Sequence, residues 1–330
     1  MFLMAPSGTM RVVVYNQPGD ASVLKVEERP IPTRGDGEVL VKQYGTSVNP
    51  VDFKMRSSNK ENLPKIPGGD ISGIIEEVGS GSKFKKGDRV IGLAPWFWMS
   101  FKEGTYAEYV SAKEEWLAYC PKSLPLHEAG QVPLVSLTCW QAMSDWNIRP
   151  GSRVLVHAGS SGVGTWVLQT AKLRGAHVVA TAGPKNQEFL KELGADETIN
   201  YREQDFAEVY KDKPFDYIFD SVGGENTVKG YTKIINKSGA YTEIANNGTD
   251  QNRVKEYTEM GKKGEGAKYK FMIVEPNGKW MQEIADLIEQ GKLKCVKDRS
   301  YDLFSQVREA HEFQETGRAR GKVILEIIKE

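Results

Sequence analysis

The segment Arg153-Val154-Leu155-Val156-His157-Ala158-Gly159-Ser160-Ser161-Gly162-Val163-Gly164 carries an apolar strand pattern into a turn whose glycines recur as G-x-x-G-x-G. Thr165 to Ala171 then continue with the pattern of a helix. Glycines in such a turn remove Cβ clashes and let the backbone touch a pyrophosphate, while the helix N-terminus offers free N–H groups and a favourable dipole to the anion. The order is not the standard G-x-G-x-x-G, and a glycine-rich turn is also an ordinary way to join a strand to a helix. Its place between a strand and a helix, with a second strand at His177–Ala182, favours the dinucleotide reading. The end of that second strand chooses the dinucleotide. Sites that prefer NAD place an Asp or Glu there, about 20 residues after the glycines, to bond the ribose 2′-hydroxyl. Here Ala182-Gly183-Pro184-Lys185-Asn186 has no carboxylate. Lys185 supplies a cation able to meet a 2′-phosphate through a charge-assisted hydrogen bond. A solvated surface position is the commoner fate of a single lysine, but the missing acid and the available base both point to NADPH.

Other chemistries find less support. Cys120, Cys139 and Cys295 are odd in number and far apart, without C-x-x-C spacing, and read as reduced thiols of an intracellular, cytoplasmic protein. His127, His157, His177 and His311 are the only histidines. Two of them fall in expected strands, where a satisfied structural histidine is the ordinary reading, and no Ser-His-Asp or Cys-His constellation can be argued. Lys plus Arg and Asp plus Glu both number 44. No net field draws the chain onto nucleic acid, although local patches are not excluded, and a small or amphipathic partner fits better. No stretch approaches the roughly 20 apolar residues of a membrane span. Met1 to Met10 lacks a basic n-region and an apolar core, so it reads as a disordered tail.

A chain of 330 residues exceeds the size at which one core stops growing, and two domains are expected. From Met10 to about Tyr119, short apolar runs alternate with Gly and Pro punctuation: Arg11–Tyr15, Glu38–Lys42, Ile71–Val78 and Arg89–Leu93. This is a β-rich domain. After Pro150-Gly151 strands alternate with amphipathic helices, the texture of a doubly wound parallel sheet. Lys322 to Ile328 is strand-like again and should return to the first domain. Asn246 to Lys270 reads as a loop or surface helix.

Several segments resemble the zinc-independent, quinone oxidoreductase-like branch of the medium-chain dehydrogenase/reductase superfamily. They are Thr46-Ser47-Val48-Asn49-Pro50-Val51-Asp52-Phe53-Lys54, Pro67-Gly68-Gly69-Asp70-Ile71-Ser72-Gly73, the Ala158–Gly164 turn, Leu193-Gly194-Ala195-Asp196 with Ile199-Asn200-Tyr201, and Gly321-Lys322-Val323. Within that branch the chain is most similar to plant alkenal/enone oxidoreductases and chloroplast-envelope quinone oxidoreductase homologues. The resemblance implies an α/β fold with a GroES-like catalytic domain, residues 1–135 and 290–330, around a Rossmann NADPH-binding domain, residues 136–289. It implies that Asn49, Lys54 and Thr138 line the nicotinamide pocket, with Asn49 and Lys54 as the catalytic candidates. Ser161, Gly162 and Val163 would hold the pyrophosphate, and Gly183, Lys185, Asn186 and Tyr201 the adenosine phosphate. Arg318 and Arg320 would lie in a loop that closes over the cofactor.

Zinc-dependent relatives take their catalytic metal on early Cys, His and carboxylate residues. Ser47 to Asp52 and Gly68-Gly69-Asp70 have no Cys or His, so no tetrahedral N/S site is expected there and no metal site is assigned. The aromatic run from Trp96 to Phe101 departs from the family pattern. It suits a substrate wall, a membrane- or partner-facing patch, or a loop packed on the core. The implied activity is reduction of an enone, alkenal or quinone by a monomer or homodimer, with no nucleic-acid partner and with peripheral membrane contact or a chloroplast location as options. A zinc-free alcohol or aldehyde reductase is an alternative, weakened by the lack of a metal to polarise the carbonyl. A non-catalytic NADPH-binding, membrane-associated or RNA-binding protein is another.

Overall fold

The computed structural model describes residues 8–96, 103–244 and 250–330. Two compact units emerge: residues up to Leu137 together with Glu275–Glu330, and Thr138–Val274. Most of the aromatic run, Phe97 to Phe101, lies outside the described residues, as do the first seven residues of the expected tail. Trp96 is described and fully buried.

The first unit begins with β1 (Thr9–Val14), paired antiparallel with β2 (Lys25–Pro30). Five more strands follow: β3 (Glu38–Val48), β4 (Asp70–Glu77), β5 (Arg89–Leu93), β6 (Tyr109–Lys113) and β7 (Leu117–Tyr119). Between β3 and β4 a helix, α1 (Pro50–Ser58), starts with Asn49 as its cap and Pro50 at its first position, where proline's missing N–H costs nothing.

In the second unit β8 (Arg153–Val156), β9 (His177–Ala182), β10 (Glu197–Asn200), β11 (Phe215–Asp220), β12 (Ile235–Glu243) and β13 (Lys268–Phe271) form one sheet in the order β10-β9-β8-β11-β12-β13. All its pairings are parallel. This is the doubly wound order, with the topological switch between β8 and β11. Burial on both faces explains the nearly unbroken apolar runs of β8 and β9. The segment Asn246–Lys270 contains the Gln251–Lys263 helix and the start of β13, a strand that its polar letters conceal.

The chain then returns. β14 (Lys297–Asp302) and β15 (Lys322–Glu326) extend the sheet of the first unit in the order β14-β15-β3-β4-β5-β7, with β6 also on β3. β15 pairs antiparallel with β3, Val323 opposite Val48. The core joins both ends of the sequence: Val12, Val39, Val41, Ile71 and Val90 pack with Leu303, Val307, Val323 and Leu325.

One boundary differs from expectation. The return falls at Glu275 rather than at residue 290, because the Gly278–Glu289 helix packs on the first unit. Gly278 permits this, since a Cβ there would come within 2.5 Å of the Leu117 carbonyl oxygen. Gln282 accepts from the Tyr119 N–H at 2.9 Å, and Glu289 from Ser123 N–H at 3.0 Å. The helix is amphipathic, with Met281, Ile284, Ala285 and Ile288 buried.

Candidate active site

In the first unit, α1 presents Lys54 on the segment that Asn49 opens. Asp52 stands at the third helical position, and its Oδ2 accepts from the Asn49 N–H at 2.7 Å, which satisfies one of the helix's orphan donors. The Asn49 side chain is turned into the protein. Its Nδ2 donates to Asp70 Oδ2 at 2.7 Å, and its Oδ1 accepts from Lys322 Nζ at 2.5 Å. Asp70 also accepts from the Ser47 hydroxyl and, through Oδ1, from the Leu134 N–H at 2.7 Å. Asn49, Asp52, Asp70 and Lys322 are all buried. Asn49 is thus an anchor with its amide already engaged, which narrows the expectation that it lines the nicotinamide pocket. Burial lowers the Lys322 pKa, and the Asp70 and Asp52 carboxylates oppose that fall.

Lys54 is the group left available. It is half-buried, and desolvation lowers its pKa. No hydrogen bond or ion pair engages its ammonium among the described residues. Arg318 and Arg320 are exposed on the loop before β15, where the Arg320 N–H donates to Asp298 Oδ2 at 2.7 Å. Thr138 is buried and opens the second unit.

The second unit brings the other candidates together. Ser161 caps the Gly162–Leu173 helix, its hydroxyl accepting from the Gly164 N–H at 3.1 Å. The Gly162 and Val163 N–H groups, orphaned by helix geometry, remain for an anion. Ala158 adopts φ +51°, a left-handed conformation uncommon outside glycine. The helix follows so closely that a Cβ on Gly164 would lie 2.2 Å from the Ala158 carbonyl oxygen. Asn186 Nδ2 donates to Ser160 Oγ at 3.0 Å, tying the loop after β9 to the turn. Tyr201 stands beside Gly183, since a Cβ there would lie 3.8 Å from the Tyr201 oxygen. Lys185 is exposed in the same loop.

These residues surround the carboxyl ends of β8, β9, β10 and β11, where a cavity of about 600 Å³ is lined by His157, Thr181, Tyr201, Arg202, Asp205 and Phe206 among others. Open parallel sheets bind ligands at this edge, at the switch point. His157 follows β8 and corrects the expectation of a satisfied structural histidine. Its Nδ1 lies 3.3 Å from the Thr181 hydroxyl, but its buried Nε2 has no partner among the described residues. His177 conforms, with Nε2 2.7 Å from Glu197. Asp220 ends β11 and organises the loop beyond it, accepting from the Val222 and Gly223 N–H groups at 2.8 and 2.9 Å and from the Tyr241 hydroxyl at 2.6 Å. Burial raises the Asp220 pKa, but His157, Tyr241 and the two amides more than offset it, and the net shift is downward.

Arg202, Asp70 and Lys322 escaped the sequence reading. The signal for Arg202 was its place beside Tyr201, and its guanidinium carbon lies 5.9 Å from that ring. The signal for Lys322 was a lysine leading an apolar strand.

Comparison with known proteins agrees with this architecture. Residues 35–122 match the alcohol dehydrogenase GroES-like domain, and residues 193–325 match the zinc-binding dehydrogenase domain. The chain is 32% identical to the mitochondrial NAD(P)H oxidoreductase RTN4IP1 of Mus musculus, over 88% of this chain and 82% of that one. It is 31% identical to the chloroplastic NADPH-dependent alkenal/one oxidoreductase of Arabidopsis thaliana, over 96% and 79%. The solved quinone oxidoreductase of Coxiella burnetii superposes with a TM-score of 0.86 at 29% identity, covering 97% of this chain and all of that one. With GroES-like and Rossmann units built from the same segments, the chain belongs to the medium-chain dehydrogenase/reductase family of oxidoreductases, in its quinone oxidoreductase-like branch.

Proposed function

We propose that this protein binds NADPH and reduces a conjugated carbonyl compound, an enone, alkenal or quinone, without zinc. The observation that carries the reading is the edge of the six-stranded sheet. There the N–H groups of Gly162 and Val163 are placed for a pyrophosphate, and the loop after β9 carries Gly183 beside Tyr201, then Lys185, and no carboxylate. Two acids among the described residues line the cavity, Glu203 and Asp205; both come after β10 rather than at the end of β9, and Asp205 is committed to Lys229 at 2.8 Å and to the Ala207 N–H at 2.9 Å. Similarity to an alkenal/one oxidoreductase and to a quinone oxidoreductase supports the substrate class.

When bound, NADPH supplies a hydride. The chain's part is to hold the cofactor and to meet the negative charge that develops on the substrate oxygen, because a buried enolate without a donor is costly. Lys54 can hold the cofactor's ribose or donate towards that oxygen, and positioning is the role that suits best a half-buried ammonium with no partner among the described residues. Asn49 and Asp70, in the two segments compared above with the ligand-bearing segments of zinc-dependent relatives, are bonded to each other, and Lys322 brings a cation of its own to Asn49. Among the described residues no group of three or more His, Cys, Asp or Glu is arranged to hold a metal.

Oxidation of NADPH and of NADH across quinones, alkenals, cyclic enones and saturated aldehydes tests the reading, alongside metal analysis. Turnover of the conjugated substrates, faster with NADPH and insensitive to chelators, is expected. Turnover of saturated aldehydes alone, or activity that leaves with one bound zinc per chain, would overturn it.

A further inference from the structure

Hydrogen-bonding side chains, not an apolar stripe, form the buried face of α1. Its buried residues are Asp52 and Arg56, four apart and therefore on one face, and both enter one hydrogen-bonded chain. Asp52 Oδ2 accepts from the Tyr106 hydroxyl at 3.2 Å. The Tyr106 oxygen lies 3.1 Å from His311 Nε2, and His311 Nδ1 lies 2.9 Å from Arg56 Nη1. Arg56 Nη2 donates to Glu315 Oε1 at 2.7 Å. Tyr106 and His311 are fully buried and Arg56 is 1% exposed; the chain reaches solvent at Glu315, whose side chain is 34% exposed.

The directions follow from the groups. A guanidinium only donates, so His311 Nδ1 accepts, the ring carries its proton on Nε2, and that N–H donates to the Tyr106 oxygen. Tyr106 keeps its own hydrogen for Asp52. Burial first, and Arg56 second, push the His311 pKa down to about 3, so the ring stays neutral. Arginine does not give up a proton, so the chain cannot pass one inward from Glu315. Its function must be mechanical. Lys54 lies two residues from each anchor, about 200° round the helix from both, on the face the anchors leave outward.

We propose that Tyr106 and His311 are positioning residues: through Asp52 and Arg56 they fix the rotation of α1 and hold the Lys54 ammonium where it acts on bound NADPH. The proposal rests on the role given to Lys54 above.

Tyr106→Phe deletes one hydroxyl and keeps the ring, whereas His311→Gln retains an acceptor for Arg56 and a donor for Tyr106. NADPH affinity by fluorescence titration, NADPH KM and kcat are measured for both, for Lys54→Met, and for Tyr106→Phe combined with Lys54→Met. Tyr106→Phe should weaken NADPH roughly threefold to tenfold, as the loss of one buried hydrogen bond would. His311→Gln should stay within about twofold of the parent, and Tyr106→Phe should add nothing once Lys54 is gone, because coupled groups are not additive. Independent, multiplying effects would overturn the proposal, as would a lower Tm with unchanged NADPH affinity. Titration needs no turnover, so a protein that binds NADPH but reduces no enone refutes the substrate assignment and leaves this test intact. If NADPH does not bind at all, the rate at which an amine-reactive reagent modifies Lys54, read by mass spectrometry, decides: a changed rate in Tyr106→Phe supports the clamp and an unchanged rate overturns it. Should Tyr106→Phe fail to fold, Glu315→Gln loosens Arg56 from the outside and is read in the same way.

Discussion

A surface lysine gains little from water and much from a phosphate dianion. Losing a charged hydrogen bond costs about 1.5–3 kcal/mol, or one to two powers of ten in affinity. Lys185→Ala is expected to weaken NADPH by that factor and NADH hardly at all, in parallel titrations; equal losses would show that Lys185 does not read the 2′-phosphate. Asp52 yields a pH prediction. Burial first, then Asp70, raises its pKa to about 7, against the Asn49 N–H, Lys322 and Tyr106. An unfolded aspartate titrates near 3.9, so between these values the folded chain holds a proton the unfolded chain has lost. The associated stability is full below about pH 4 and is lost as pH rises through about 7. Asp52→Asn has no such proton to lose. Relative to the parent it should gain stability from about pH 4.5 to 7.5, read from denaturant midpoints; a gap constant with pH would contradict the assignment. Lys185 could be proposed from the sequence because the argument for it is local, a fixed offset after a strand. His311 could not, since its partner Arg56 is 255 residues away, and Lys322 stands 273 residues from Asn49. Spacing along the chain cannot show contacts that only strand pairing creates.

At the scale of elements, the turn between β8 and its helix is the part most dependent on one atom. A Cβ on Gly164 would meet the Ala158 carbonyl oxygen at 2.2 Å and the Gly159 Cα at 2.9 Å. Backbone must move to admit it, at a cost of about 1–3 kcal/mol. Gly164→Ala should therefore lower Tm and weaken NADPH together, and a variant unchanged in melting and titration would mean that the close approach is not needed. The apolar runs of β8 and β9 and the aromatic-rich β11 could be read from the sequence. β12 and β13 could not, because their buried polar letters are paired: Tyr241 with Asp220, and Tyr269 with Glu243. The Gly278–Glu289 helix looks like any amphipathic helix, and only the approach of Gly278 to the Leu117 carbonyl shows which unit it joins.

For the whole molecule, the return of β15 to β3 does more than close a sheet. Their register, with Val323 opposite Val48, delivers Lys322 to Asn49 at the start of α1, so the last strand helps set the segment that carries Lys54. The terminal strand and its return were legible as an apolar run after a polar stretch. The polar cluster it completes was not, because its members come from β3, β4 and β15 and meet only in the folded sheet. Among the described residues no helix is long and apolar enough to cross a membrane. The central claim, hydride delivery to a conjugated carbonyl, is tested most directly with NADPH deuterated at C4 and a cyclic enone, the product being read by mass spectrometry and NMR. The expected product is the saturated ketone with one deuterium on the β-carbon and the carbonyl intact. Deuterium on the carbonyl carbon of an allylic alcohol, or no transfer at all, would contradict the claim.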